Sequence, residues 1–351
     1  LSSIAARVIM KVYYAARVAR PDLLRAIGHL ACYITKWDRE CDKKLHRLMC
    51  YVASSLDHRL VGWVGDDVGA IDLHLYADAD FAGCLTTNRS TSGVYMALEG
   101  TNTSYPIAYI SKKQSCVSHS TPEAEIVAGD FGIRQAGLPG QVTWDTLAND
   151  TPRTLSIHDD NEAMLKIVAS GKNPTMRHLG RTHGVSISWL HQEVNKPDKA
   201  MSYLESKYMP ADIFTKFFPD RLNSGWENAR RLINVVAMRE LPEILERGGP
   251  GFRYAGQKRV KAPEAEEGNE AGDNEGDAFG APVLVRPQAE PTVYHDDGYV
   301  DELWGSAATA SGGRVAYDAP PPHVAVHRVR KSLWFKLIES IGTTARALRA
   351  V

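Results

Sequence analysis

The chain has 351 residues, of which 44% are hydrophobic and 24% charged, and its formal net charge is -1. That length suits about two domains, and the composition excludes a collagenous, low-complexity or wholly disordered chain. The near-zero charge excludes a nucleic-acid footprint spread over the whole molecule, so any such surface must be a local patch.

Residues 1 to 60 carry helical spacing. Ile4, Val8, Val12 and Ala15 recur on one face, and Pro21 then starts a segment with Leu23, Leu24, Ile27 and Leu30. A third run, Lys43 to Val52, sets Leu45, Leu48 and Met49 among Lys43, Lys44 and Arg47. Its basic side reads either as a solvated face or as a phosphate-tracking surface.

Residues 70 to 113 read as three strands. In the first, Ile71, Leu73, Leu75 and Ala77 alternate with Asp72, His74, Tyr76 and Asp78, the period of a strand with one buried face. It runs into the carboxylates Asp78 and Asp80. The second strand is expected at Gly93 to Leu98 and the third at Ile107 to Ser111, joined by a loop over 100–104. Thr121-Pro122-Glu123 starts a helix, with Ala124, Val127, Phe131 and Ala136 as its buried stripe, although Gly129 and Gly132 weaken it.

Leu155 and Ile157 lead into Asp159 and Asp160, repeating the strand-to-acid pattern. A helix over 161–170 stops at Gly171, and an amphipathic helix spans 181–194. Met201, Tyr203 and Leu204 form a last strand, and Pro210 opens a last helix. The order β-β-β-α-β-α-α-β-α gives an α/β fold, a mixed five-stranded sheet flanked by helices. A right-handed crossover would set the strands ending at Asp78 and Asp160 parallel and adjacent.

After residue 251 the character changes. Residues 262–277 are acidic and lack large apolar side chains, the composition of a disordered linker. Pro320-Pro321-Pro322 punctuates the chain, and residues 328–351 suit a basic amphipathic helix with Leu333, Trp334, Leu337, Ile338 and Ile341 on one side. That helix could cover the protein's own surface, a membrane surface or a partner groove. The five cysteines, Cys32, Cys41, Cys50, Cys84 and Cys116, include no C-x-x-C pair. They argue against a disulfide framework and for a reducing intracellular compartment, cytoplasmic or nuclear. No apolar run has transmembrane length. Residue 1 is Leu and no signal-peptide pattern follows, so the chain is expected to begin inside a longer reading frame or polyprotein.

The acids Asp78, Glu123, Asp160 and Asp212 stand at two strand ends and near two helix starts. Each also has a purely local role open to it: Glu123 on the helix dipole, Asp160 and Asp212 as helix caps. If they converge, the pocket stays charged near neutral pH only around a metal or with raised pKa values. All-oxygen ligands suit Mg²⁺. Two such ions about 3.5–4 Å apart can activate water and stabilise a leaving oxygen in phosphoryl displacement. The chain has no G-x-S-x-G elbow, phosphate-binding glycine loop or H-E-x-x-H pair.

Seven short motifs occur in one order: Tyr76-Ala77-Asp78-Ala79-Asp80-Phe81-Ala82-Gly83, Arg89-Ser90-Thr91-Ser92-Gly93, Ile110-Ser111-Lys112-Lys113-Gln114, Ser120-Thr121-Pro122-Glu123-Ala124-Glu125, Asp160-Asn161, Arg181-Thr182-His183 and Ala211-Asp212-Ile213-Phe214-Thr215-Lys216. This arrangement resembles the ribonuclease H domain of copia-type LTR retrotransposon Pol polyproteins. The stretch Ala19-Arg20-Pro21-Asp22-Leu23-Leu24 resembles the helical tail of the reverse transcriptase that precedes it.

The resemblance implies a ribonuclease H-like fold and cleavage of RNA in RNA–DNA hybrids with Mg²⁺, or Mn²⁺ in its place. Asp78, Glu123, Asp160 and Asp212 match the family's metal-binding acids, while Asp80 and Asp159 stay unassigned. Arg89, Ser90, Lys112, Lys113 and Gln114 are the candidate hybrid contacts, and His183 a candidate auxiliary residue. The resemblance gives a reverse-transcriptase remnant (1–60) and a ribonuclease H-like domain (61–220), and composition adds a helical extension (221–250), a disordered acidic linker (251–325) and an amphipathic terminal helix (326–351). No Tyr-x-Asp-Asp stands within a surrounding polymerase palm, so a reverse transcriptase domain or chain would be a partner. The alternative is a catalytically inactive retroelement remnant serving as a nucleic-acid-binding or interaction module.

Overall fold

Three helices open the chain in the computed structural model, which describes residues 2–148, 153–218, 224–246 and 257–259. Helix α1 (Ser2–Val18) buries Ala5, Ile9, Val12 and Ala16. Its stripe is rotated from the expected one, leaving Ile4, Val8 and Ala15 half-buried on the flank. Helix α2 (Leu24–Ala31) buries Leu24, Ile27 and Leu30, and α3 (Arg39–Ser54) buries Leu45, Leu48, Met49 and Val52.

An internal ion pair fixes this helical corner. Arg20 donates from Nε to Asp22 Oδ1 at 2.9 Å, from Nη2 to Oδ2 at 2.7 Å and from Nη1 to the Ser55 carbonyl at 3.0 Å. Tyr51 on α3 donates to the same carboxylate at 2.7 Å. Burial alone would raise the Asp22 carboxyl, but the guanidinium outweighs it and holds the carboxyl below its ordinary value. Removing either partner would strand a buried charge, at about 3–5 kcal/mol.

The chain continues through β1 (His58–Leu60), β2 (Asp72–Asp80), β3 (Thr91–Glu99) and β4 (Ser104–Lys113). Helix α4 (Thr121–Gly132) passes through a π-type turn into α5 (Leu138–Leu147). Then come β5 (Leu155–Asp159), α6 (Glu162–Ser170), α7 (Leu179–Thr182), α8 (Ile187–Val194) and β6 (Lys199–Leu204). After them follow α9 (Ser224–Leu232), β7 (Val235–Ala237), α10 (Leu241–Glu246) and β8 (Gln257–Arg259).

The main sheet runs β4-β3-β2-β5-β6, with the short β8 added at the β6 edge. The β2–β3 and β3–β4 pairs are antiparallel, whereas β2–β5 and β5–β6 are parallel. This is the expected mixed five-stranded sheet flanked by helices. Leu73 pairs with Leu155 and Tyr76 with His158, so the same register carried two residues further sets Asp78 against Asp160. A separate pair, β1–β7, has strands of three residues each, too short for period-two alternation to show.

Both faces of the sheet are covered, which corrects the expectation of one buried face. Leu73, Leu75, Val94, Met96, Leu155 and Ile157 pack against Ile126, Ile133, Met164, Leu165 and Leu190 on the α4–α6–α8 side. Tyr76, Tyr95 and Ala97 pack on the other side with Ile9, Ile27, Leu45, Ile213 and Phe214. Each fully buried side chain of this kind contributes about 1.5–3 kcal/mol. Several polar members of the second face pair internally. Tyr76 donates to Glu99 Oε2 at 2.7 Å, while His158 lies 3.0 Å from His74 Nδ1 and 2.7 Å from Ser202 Oγ.

Three local expectations change. Helix α4 runs through Gly129 and Gly132, because its sheet-side burial outweighs their poor propensity. The single helix expected over 181–194 is broken: α7 ends at Thr182, Gly184 takes φ +68°, and Ser186 caps α8 by accepting from the Trp189 N–H at 3.2 Å. The helix expected from Pro210 is a short 3₁₀ turn, Pro210–Phe214. The expected acidic stretch 262–277, the proline triplet and the basic C-terminal helix lie outside the described residues, while β8 (Gln257–Arg259) falls inside the expected linker 251–325. Among the described residues, no helix is long and apolar enough to cross a membrane.

Candidate functional site

Three acids meet at the carboxyl ends of β2 and β5. Asp78 lies near the end of the buried run of β2, Asp160 follows β5, and Asp212 lies in the Pro210–Phe214 turn. One ligand atom from each lies within 4.8 Å of the others. The local sequence explains how the turn gets there. Gly93 sits opposite Asp78 on β3, and a Cβ on Gly93 would lie 2.8 Å from the Ala211 carbonyl and 2.7 Å from Thr215 Cγ2. Only a residue without a side chain lets the turn settle on the sheet at that point. Phe214, fully buried, anchors the turn in the core. The Ser111 hydroxyl donates to the Phe214 carbonyl at 2.6 Å.

The carboxylates are held individually. The Thr215 hydroxyl donates to Asp78 Oδ2. Asp212 Oδ2 accepts from Ser206 Oγ at 3.1 Å and from the Lys216 ammonium at 2.5 Å. Asp160 is not the cap of α6. That role falls to Asn161, whose Oδ1 accepts from the Met164 N–H at 3.0 Å, so Asp160 is left to the cluster.

Glu123 does not join these acids, whereas the Glu125 carboxyl lies within electrostatic reach of them. Successive helical residues turn by about 100°, so positions two apart face nearly opposite ways. Ser120 is the N-cap, and its hydroxyl accepts from the Glu123 N–H at 3.3 Å. Glu123 Oε2 in turn accepts from the His119 N–H at 3.1 Å, and its Oε1 lies 3.2 Å from His178 Nε2 and 3.3 Å from His183 Nε2. The Glu125 carboxyl instead feels Asp159, Asp78 and Asp160. The sequence held the signal: Ser120-x-x-Glu123 is a capping-box spacing, which gives Glu123 a local role and leaves Glu125 for the site.

The electrostatics suit a cation. Burial first, and then the Asp212 charge, push Asp78 up to about 7. Burial pushes Asp212 up to about 6, against the pull of Lys216. Burial followed by Asp159, Asp78 and Asp160 pushes Glu125 up to about 11. Asp159, which is buried, is raised well above its ordinary value by that burial. Glu125 Oε2, Asp159 Oδ2 and Asp212 Oδ1 are buried without a hydrogen-bond partner. A set of hard oxygens that keeps protons and leaves acceptors unpaired fits a divalent ion such as Mg²⁺.

The expected hybrid contacts divide into two groups. Arg89 and Lys112 are exposed, with Lys112 Nζ 4.9 Å from the centre of the Phe131 ring. Lys113 donates to Cys84 Sγ at 2.8 Å. Ser90 and Gln114 face inward, which removes them from the surface. The Ser90 hydroxyl accepts from the Ala82 N–H at 3.1 Å, and Gln114 Nε2 donates to Ser92 Oγ at 3.0 Å and to the Ala124 carbonyl at 2.9 Å. Both hold the β3–β4 edge and the start of α4 in place.

Basic groups that sequence reasoning missed gather beside the hairpin. Arg25 reaches from α2 to Asp80 Oδ2 at 2.9 Å and to the Thr215 carbonyl at 2.8 Å. His29 lies 3.2 Å from Lys44 Nζ, and burial, then Lys44, Arg25 and Lys113, push its ring down to about 4. The N-terminal helices therefore bring cations to the edge of the acid cluster.

No family model matches the chain. It is 24% identical over 208 residues to the retrovirus-related Pol polyprotein from transposon TNT 1-94 of Nicotiana tabacum, a match over 59% of the chain and 14% of that protein. The chain spans only 7% to 14% of the length of the Pol polyproteins it matches. The ribonuclease H1 LC11, isolated from compost, aligns with 41% of the chain and 92% of its own at 18% identity and a TM-score of 0.27. The secreted RxLR effector protein 161 of Plasmopara viticola is 34% identical over 130 residues, 36% of this chain and 83% of that protein. The chain's homologues are thus retrovirus-related Pol polyproteins, and by identity and coverage it belongs to the family of the Plasmopara viticola effector protein.

Proposed function

We propose that the chain is a divalent-metal-dependent ribonuclease H that cleaves the RNA strand of RNA–DNA hybrids as part of a copia-type retrotransposon polyprotein. The observation that carries this reading is the convergence of Asp78, Asp160 and Asp212 within 4.8 Å at parallel strand ends. The Pol polyprotein homologues and the order of the sequence motifs support it.

Asp78, Asp160, Asp212 and Glu125 would hold Mg²⁺, or Mn²⁺ in its place, with Glu125 taking the position first given to Glu123. When bound, the ion supplies an activated water and neutralises the leaving oxygen of the phosphodiester. The chain's own residues prepare the site. Thr215 and Ser206 fix the carboxylate orientations by donating to Asp78 and Asp212. Lys216 supplies a positive group beside Asp212, suited to an approaching phosphate. Arg25, Lys44, Arg89, Lys112 and Lys113 form the phosphate-tracking surface, since hybrids are read by groove shape, phosphates and 2′-hydroxyls. On the same reading, residues 1–60 derive from a reverse transcriptase tail, 61–220 form the nuclease, 221–250 extend it, and a polymerase domain or chain is its partner.

The test is to incubate the full chain with labelled RNA–DNA hybrid, RNA duplex and DNA duplex, with and without Mg²⁺. Cleavage is expected only in the RNA strand of the hybrid and only with Mg²⁺, falling at least about a hundredfold in Asp78→Asn. Equal cutting of both strands would overturn the reading, and binding without cleavage would favour the inactive remnant.

A further inference from the structure

The histidines that claim Glu123 make a second site of different chemistry. Ligand atoms of His119, Glu123 and His178 lie within 4.8 Å of one another. The Glu123 side chain is 2% exposed and that of His183 is 0% exposed. His183 Nε2 is 3.3 Å from Glu123 Oε1, yet both of its ring nitrogens lack a hydrogen-bond partner. A buried polar atom left unpaired costs about 1–3 kcal/mol, so this ring is an unsatisfied polar group set against the carboxylate that the cluster shares.

The donor set identifies the ligand's class. Imidazole nitrogens with one carboxylate suit Zn²⁺ and its transition-metal neighbours, whereas Mg²⁺ is held by oxygens. In a tetrahedral Zn²⁺ site with bonds of about 2.0–2.1 Å, neighbouring donor atoms sit roughly 3.3–3.4 Å apart. The 3.2 Å from His178 Nε2 to Glu123 Oε1 is close to that edge. His119 precedes α4, whereas His178 and His183 flank α7, so an ion here would tie two separate segments. The Cys116 thiol, donating to the Thr182 carbonyl at 2.8 Å, already joins the same segments.

We propose that Glu123, His178 and His119 bind one transition-metal ion of the Zn²⁺ class, with the buried His183 ring set against the same carboxylate. The site is separate from the acid cluster and does not depend on the nuclease reading. Its mechanical effect is to fix the first turn of α4, from which Glu125 projects to the acids.

The test is a Co²⁺ titration of the chelator-stripped full chain in excess Mg²⁺, followed by visible absorption. One equivalent should bind with the intense bands of a four-coordinate site, and Zn²⁺ should displace it. Affinity should fall roughly 10–100-fold in His178→Gln and in His119→Gln, and stay unchanged in Asp78→Asn. His119 is exposed, so its variant keeps the fold and serves where His178→Gln does not. Absence of stoichiometric uptake, or uptake undiminished in the folded histidine variants, would overturn the proposal.

Discussion

The two polar clusters beside α4 each draw a glutamate from that helix yet differ in kind. One gathers Asp78, Asp160 and Asp212 at the strand ends, with the Glu125 carboxyl raised by burial and then by nearby acids. The other surrounds Glu123 with His119, His178 and His183. Two glutamates two residues apart are sent to different chemistries by helical geometry alone. In the first cluster the neighbours are like-charged, so protons are retained and a hard cation is the natural counter-charge. In the second the neighbours are imidazoles, which can share the carboxylate by ion pairing or by common coordination of a softer metal.

The sharpest way to break this comparison is to neutralise each glutamate in turn. Glu125→Gln should lower Mg²⁺-dependent hybrid cleavage at least about a hundredfold, whereas Glu123→Gln should stay within about tenfold of the wild type. Cleavage rates at saturating Mg²⁺ decide it, and the reverse ranking would return Glu123 to the acid site. A subtler perturbation leaves every acid in place. Gly93→Ala should force the Ala211 carbonyl and Thr215 away from β3. Overpacking of this kind costs about 1–3 kcal/mol in urea unfolding, and cleavage should drop with it because Asp212 moves from Asp78.

The third effect is electrostatic and is read as stability. Asp78 titrates at the ordinary carboxylate value of 3.8 when unfolded and at about 7 when folded. Between those values the folded chain holds the extra proton, so ionising the group costs stability as pH rises. In metal-free buffer, Asp78→Asn should therefore gain on the wild type across that window, by on the order of a few kcal/mol at its upper end. Other groups, such as His29, oppose this trend in the wild type, and the difference between the two proteins cancels them. Thermal unfolding of both across the window checks it, and a constant difference would contradict the buried, mutually raised state of the acids.

Much of this arrangement could be read from the residues. Strict alternation in Leu73 to Asp78, and its echo in Leu155 to Asp160, gave two strands whose parallel pairing followed from the helical crossover between them. Ser90 and Gln114 could not be read correctly, because a polar residue beside a basic motif looks the same whether it faces water or caps a buried edge. The covering of the second sheet face was hidden too: His74, Tyr76 and Glu99 are polar in sequence yet satisfied by one another and by His158 and Ser202. Gly184 broke the expected 181–194 helix through a positive φ that apolar periodicity does not register. Glu125 was missed through attention to the first acid of the helix, although the Ser120-x-x-Glu123 spacing had already given that acid its place.

The most direct measurement follows Mn²⁺ uptake by the full chain through the electron paramagnetic resonance of the free ion. The expected result is a Mn²⁺ site that Mg²⁺ empties, weakened at least about tenfold by Asp78→Asn combined with Asp212→Asn, and indifferent to His178→Gln. Mn²⁺ binding that survives the double aspartate substitution, or that Mg²⁺ fails to displace, would contradict the carboxylate cage at the strand ends.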